Sequence, residues 1–406
     1  MQNTLDYLYW MGSLDLDALP LNELDLFVFS QLSVPDFTGM IGPGVEAVRF
    51  PDAIRGLSES DRDWEKALGT FQMRFIPPMI EALRNCRRYD GIRLCHYIDR
   101  TVEENDEQFA ALTLVLPDES RCISYRGTDD TIVGWKEDFL MACREFIPAQ
   151  EDALAYLEYV SSFSDAPLYL TGHSKGGNLA AFAAMRAAPS LQARIRKVYN
   201  FDGPGFPAAA LETPGYETCR ERIISISSCN SLVGRIMEEP GIQKIVNTDV
   251  KGPRAHDGFT WEAGPEGFVP AADGLSETSR EFEKVVDQIL RNLSVPEREL
   301  VVNDIFDAIL GSEVETVTDL TEFNLQRSIA IFRELGKNKE THKVVLKILD
   351  TMFQSFKDSQ AWLQPAESRQ NLPVPAGKKE SRTAKQSSGN RKKKEADHAV
   401  EQAKHS

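Results

Sequence analysis

Gly172, Ser174 and Gly176, with Gly177 behind them, set one hydroxyl among small residues at the spacing of a sharp turn. A serine at such a turn sits in a strained backbone conformation. The residues two positions either side must be small, so that the preceding and following elements pack without Cβ clashes. The same turn aims the amide of Lys175 at the site, where the positive end of a following helix favours a developing oxyanion. The chemistry these features suit is acyl transfer. Bare Gly-x-Ser-x-Gly arises by chance in roughly one chain in ten of this length, given glycine at about 7% of residues. The flanks therefore carry the argument. Leu168, Leu170 and Thr171 predict a short strand before the turn, and Leu179, Ala180, Ala183 and Ala184 predict a helix whose small apolar face lies on a sheet.

A serine hydroxyl needs a base, usually histidine, whose tautomer is held by a carboxylate. In the chain order of α/β-hydrolases both follow the serine, which leaves His256, His342, His398 and His405. His256 is the expected base, because it lies in a loop directly after the last predicted strand. His342 falls in a helical region, the other two in a tail, and His173 points away from its neighbour Ser174 and reads as a structural partner. The acid is less constrained. Asp202 follows the strand 197–201 at the sheet edge that carries Ser174; Asp249 and Asp257 are its rivals, and Asp202 also suits a cap on the Gly203-Pro204 turn.

The elements that must position these groups are legible in outline. Runs at 108–116 and 121–126, joined by a Pro-Asp-Glu-Ser turn signal, predict an antiparallel hairpin. A helix near 149–163 and strands near 167–171, 197–201, 222–228 and 242–248 follow. Strands alternating with helices imply a mostly parallel sheet covered on both faces, with ligands at the carboxyl ends of its strands. From about residue 276 only helical stripes recur: Phe282 to Leu293, Val302 to Ile309, Leu325 to Phe332 and Val344 to Phe356. Ser294 with Glu297 forms a capping-box start for the second. The expected organisation is an α/β-hydrolase domain over 1–275, whose residues 1–90 are helical and a candidate cap, a helical region over 276–364, and a disordered basic tail over 365–406.

With 42% hydrophobic and 27% charged residues in 406, the composition is that of a globular chain. No apolar run approaches a membrane span and the first residues do not resemble a signal peptide, so a cytoplasmic location is expected. Cys86, Cys95, Cys122, Cys143, Cys219 and Cys229 show neither Cys-x-x-Cys nor metal-ligand spacing and read as reduced thiols. The net charge of −16 argues against nucleic acid as the main ligand, while the tail, with ten Lys/Arg against five Asp/Glu, suits at most weak contact with an anionic surface.

The segment Ser124-Tyr125-Arg126-Gly127-Thr128, followed by Trp135 and Asp138 and later by the Gly-His-Ser-Lys-Gly-Gly turn, resembles the class 3 (fungal triacylglycerol) lipases. With Asp6 to Gly12, Pro20 to Asp25, Phe201-Asp202-Gly203-Pro204-Gly205, Asn230 to Gly234 and His256-Asp257, the chain resembles over residues 3–360 a bacterial lipase-like family of unknown function. The resemblance implies Thr128 as an oxyanion-stabilising residue, Ser174 as nucleophile and His256 as base. The chain departs from class 3 lipases after the strand 222–228, where they carry an aspartate and it has Cys229-Asn230-Ser231; Asp202 is then the expected acid. It also departs at Lys175, where leucine is usual, and this charge reads either as recognising an anionic substrate or as ion-paired with a carboxylate. The expected function is a serine esterase or lipase-like hydrolase, acting through an acyl-enzyme without metal or cofactor on a small-molecule or lipid acyl substrate. The rivals are a catalytically silent relative acting as a binding or scaffold protein and, with less support, an interaction protein acting through its tail.

Overall fold

The computed structural model describes residues 1–60, 74–129, 131–310 and 338–348, together with Trp64 and Leu68. Contacts divide the chain into Met1–Ser359 and Gln360–Ser406, and all described residues belong to the first. Its centre is an eight-stranded sheet in sequential order: β1 (Val48–Arg49), β2 (Arg93–Val102), β3 (Glu107–Val115), β4 (Arg121–Tyr125), β5 (Leu168–His173), β6 (Ile195–Phe201), β7 (Ile223–Ser228) and β8 (Ile242–Val246). Strands β1 to β4 pair antiparallel; every pairing from β4 to β8 is parallel. The expected hairpin is β3–β4. Strand β2 had not been expected, because a register break between Cys95 and Ile98, with His96 at φ 55°, interrupts the alternation that would have marked it.

Sequential parallel order has a consequence for the helices. Right-handed crossovers that all step in one direction leave their helices on one face of the sheet. The other face must be covered by something else, and residues before β2 cover it. Among the described residues run the helices α1 (Thr4–Met11), α2 (Glu23–Leu32), α3 (Phe50–Glu59), α4 (Ile76–Arg84), α5 (Ile132–Leu140), α6 (Pro148–Ser161), α7 (Lys175–Arg186), the short α8 (Pro189–Gln192) and α9 (Pro214–Cys219), then α10 (Glu277–Asn292) and α11 (Val295–Leu310), with a further helical stretch at 339–348. One core joins α5, α6, α7 and α11 to the sheet. The opposite core is built from α1 to α4 with Phe201, Ile226, Val246, Phe259 and Trp261.

Helix α2 lies against β4, β5 and β6. It is buried from Leu24 through Leu32, so it shows no polar face. Carbonyls of this helix accept from the sheet: Phe29 from Ser124 Oγ (2.8 Å) and Leu26 from Thr171 Oγ1 (2.9 Å). Asn22 caps it, and Asp25 returns a bond to the Asn22 amide. Fully buried Asp25 also accepts from Arg88 Nε (2.7 Å) and Nη2 (2.6 Å), and from the hydroxyls of Tyr7 (2.9 Å) and Tyr89 (2.7 Å). The N-terminal motifs that resemble a lipase-like family are thus a satisfied buried charge knot tying α1, α2 and the turn before β2.

Of the expected Ser294–Glu297 capping box the structure shows the Glu297 half: its carboxylate accepts from the Ser294 amide (2.7 Å) and also from the Ser294 hydroxyl (2.8 Å). Val302, Phe306 and Ile309 of α11 join the core beside α5. The stripe Leu325 to Phe332, residues 349–356 and the basic tail lie outside the described residues. Among the described residues no helix is long and apolar enough to cross a membrane. All six cysteines are free thiols.

Candidate active site

In-register pairing aligns the carboxyl ends of β4 to β7: Tyr125 faces Gly172, His173 faces Phe201, and Phe201 faces Ile226. The residues that follow these ends, Thr128, Ser174, Asp202 and Ser231, are therefore gathered along one edge. Ser174 has φ 57° and ψ −132°, its amide donates to Phe201 O (2.9 Å), and its carbonyl accepts from Gly177 N (2.9 Å) at the start of α7. The glycines act by contact. A Cβ on Gly172 would stand 2.1 Å from the Gly176 backbone, and one on Gly176 would stand 2.1 Å from Tyr125 O.

His256 ends a 3₁₀ turn (Gly252–His256) whose Ala255 carbonyl accepts from Ser228 Oγ (3.0 Å) and Trp261 Nε1 (2.9 Å). Its own carbonyl lies 2.8 Å from His173 Nε2. A carbonyl can only accept, so His173 carries its proton on Nε2. Burial, reinforced by the nearby His256, lowers the His173 pKa to about 4 and keeps that ring neutral. His173 is the structural partner expected from sequence: it fastens the base's loop to the elbow.

His256 Nδ1 lies 2.7 Å from Asp202 Oδ2. Asp202 is buried, at φ 52°, and its amide donates to Ile226 O (2.8 Å). The structure thus brings His256 to Asp202 and not to the rivals. Asp249 is exposed beyond the end of β8, and Asp257 accepts from Phe259 N (3.0 Å). Burial raises the Asp257 pKa to about 6. The cap on the Gly203 turn, the other role weighed for Asp202, belongs to Asn200, whose Oδ1 accepts from Gly203 N (2.9 Å).

Thr128 Oγ1 donates to Asp138 Oδ2 (2.5 Å) at the third turn residue after β4. Burial lifts the Asp138 pKa to about 6, against the opposing pull of Lys175 and of the Thr128 hydroxyl. The hydrogen of the Thr128 hydroxyl is thereby committed to Asp138. Lys175 is wholly buried, and its Nζ donates to Glu137 Oε2 (2.8 Å), Gln108 O (2.9 Å) and Gln108 Oε1 (2.8 Å). Of the two readings of Lys175, recognition of an anionic substrate is therefore set aside: the ammonium has no open face, and its partner is a carboxylate. Glu137 is fully used, its remaining bonds coming from Gln108 N and Ala149 N.

Sequence reasoning had not found Glu137. A lysine at the first position of a buried helix was the available signal, since such a charge demands a buried acid. Consecutive residues of α5 thereby anchor Lys175, through Glu137, and Thr128, through Asp138. Among the described residues no cluster of His, Cys, Asp and Glu has the arrangement of a metal site.

The model of the Mbeg1-like family matches residues 83–307, more than half of the chain and all of the strands from β2 to β8. The chain belongs to the Mbeg1-like family. This is the lipase-like family to which the loop and elbow motifs point, and the fold that carries them is of the α/β-hydrolase type. The crystal structure of M37 lipase is similar over 53% of this Mbeg1-like chain and 70% of that one, at 14% identity and a TM-score of 0.35. No curated protein matches.

Proposed function

We propose that this chain is a serine hydrolase that cleaves a carboxylic ester or related acyl compound through an acyl-enzyme. The observation that carries the reading is the 2.7 Å contact of His256 Nδ1 with buried Asp202, beside a serine held at φ 57° in a glycine-lined turn. Asp202 fixes the Nδ1–H tautomer, which leaves Nε2 as the base for the Ser174 hydroxyl. Ser174 Oγ attacks the acyl carbon as His256 takes its proton. The negative charge that develops on the carbonyl oxygen meets the amides of Lys175, at the N-terminus of α7, and of Thr128. His256 then protonates the leaving group, and the steps repeat with water to release the acid. Support for two amide donors comes from the anchoring of both residues to α5 described above.

The test is mass spectrometry after exposure to a fluorophosphonate. One adduct on Ser174, absent from Ser174→Ala and strongly slowed in His256→Ala, is the expected result. A folded wild-type protein that takes no adduct at Ser174 favours a catalytically silent relative that binds rather than cleaves.

A further inference from the structure

The carboxylate of Asp202 is held at both oxygens. Oδ2 meets His256, and Oδ1 accepts from Ser231 Oγ at 2.5 Å, with Ser231 wholly buried. We infer that Ser231 is the positioning residue of the acid that orients His256. The inference deepens the hydrolase reading and rests on it for its kinetic consequences, but its geometric content stands apart.

Three observations make Ser231 more than a neighbour. First, its hydrogen has one direction: Ser231 Oγ itself accepts from Gly234 N (3.2 Å), so its single proton is left for Asp202. Second, its backbone is pinned, with the amide donating to Ser228 O (3.0 Å) at the end of β7. Third, the turn leaves room for this contact alone. A Cβ on Gly234 would stand 2.5 Å from Asp202 Oδ1 and 3.2 Å from Ser231 Oγ, although Gly234 is not among the residues of positive φ. Asp202, by contrast, does adopt a left-handed φ, a conformation that costs energy and persists where surroundings over-determine it.

With both oxygens engaged by donors from different loops, rotation of the carboxylate about its Cβ–Cγ bond would break two bonds at once. The face presented to His256 is therefore set by Ser231.

The experiment compares Ser231→Ala, Ser231→Thr and Asp202→Ser, each in the full chain and each checked by its thermal melt. One readout is the proton NMR resonance of the His256 ring N–H bonded to a carboxylate; the other is fluorophosphonate labelling and ester turnover. Ser231→Ala is expected to move that resonance and lower kcat about ten- to a hundredfold, the range of one bond to a charged group, with KM nearly unchanged. Ser231→Thr, which keeps the donor, should stay within about threefold on the same grounds. Asp202→Ser should lose the resonance altogether.

A resonance and kcat that ignore Ser231→Ala overturn the inference, as does a folded Ser231→Thr variant that loses as much as Ser231→Ala. If the resonance responds as expected while wild type takes no label at Ser174, the hydrolase reading fails and the positioning role survives. Labelling at Ser174 with no response to Ser231 gives the opposite outcome.

Discussion

Each side chain of the proposed triad is held by backbone chemistry as much as by its partners. Ser174 and Asp202 both sit at positive φ at strand ends, and His256 hangs from a turn anchored by Ser228, Trp261 and His173. If Asp202 orients the base, Asp202→Asn should keep the shape but favour the wrong imidazole tautomer, lowering turnover by up to about 10⁴. Asp249→Asn, on an exposed side chain, and Asp257→Asn, on a carboxylate occupied by its own turn, should cost far less. Turnover measured beside thermal melts for the three variants separates lost catalysis from lost fold; a large loss at Asp257 with near wild-type Asp202→Asn would refute the assignment.

Asp138 supports a pH prediction at the same scale. Burial raises its pKa from 3.8 to about 6 in the folded chain, so folding favours the protonated form. The stability that goes with this is fully present below about pH 4 and is lost as the pH rises through about 6. Asp138→Asn should therefore melt at or above wild type at pH 7 to 8, with the advantage disappearing toward pH 4. An advantage that is the same across this range would show that the charge at 138 is not the cause.

At the scale of elements, the elbow and the helix α5 work as a pair. The elbow was legible because its demands are steric: glycines two residues either side of one serine, a short apolar run before and small residues after. Gly172→Ala should cost on the order of 4 kcal/mol or more, the range of severe backbone clashes, since its Cβ would meet backbone that cannot swing aside. A melt near wild type would mean that the turn relaxes in a way the packing does not suggest. The role of α5 was not legible. Glu137 meets Lys175 across 38 residues of sequence, and nothing in local periodicity pairs two buried charges.

Lys175→Met leaves the buried Glu137 carboxylate without its cation and should cost about 3 to 5 kcal/mol. Lys175→Met combined with Glu137→Gln should recover much of that loss, because the amide oxygen still accepts a backbone N–H. Denaturant unfolding of the single and double variants measures the difference. The acid was half-legible for a related reason. Asp202 could be placed at the right sheet edge from strand order, but its preference over Asp249 and Asp257 depends on a loop turning back across 54 residues.

Across the whole molecule, the parallel half of the sheet and its crossover helices followed from alternating patterns, whereas the layer on the opposite face did not. Helix α2 is buried on all sides and β1 is two residues long, so residues 1–90 offered few periodic signals and invited the reading of a cap, and β2 just beyond them is broken by a bulge. A cap and a layer differ in what their removal does. A cap closes over the strand ends and can be deleted with the core intact. Residues 1–47 instead cover β4, β5 and β6 with α2, carry the Asp25 centre that holds Arg88, Tyr7 and Tyr89, and accept bonds from Ser124 and Thr171 within the sheet.

Deleting residues 1–47 would expose the face of the central strands, strand the buried Arg88 guanidinium and leave the buried hydroxyls of Tyr89, Ser124 and Thr171 without acceptors, each change on the scale of a few kcal/mol against a total stability of about 5 to 15 kcal/mol. The expected product is insoluble or lacks a cooperative melt. It should take no fluorophosphonate at Ser174, because the elbow rests on the same strands. A deletion variant that is soluble, melts cooperatively and labels as fast as the full chain would show that this segment is a removable cover after all.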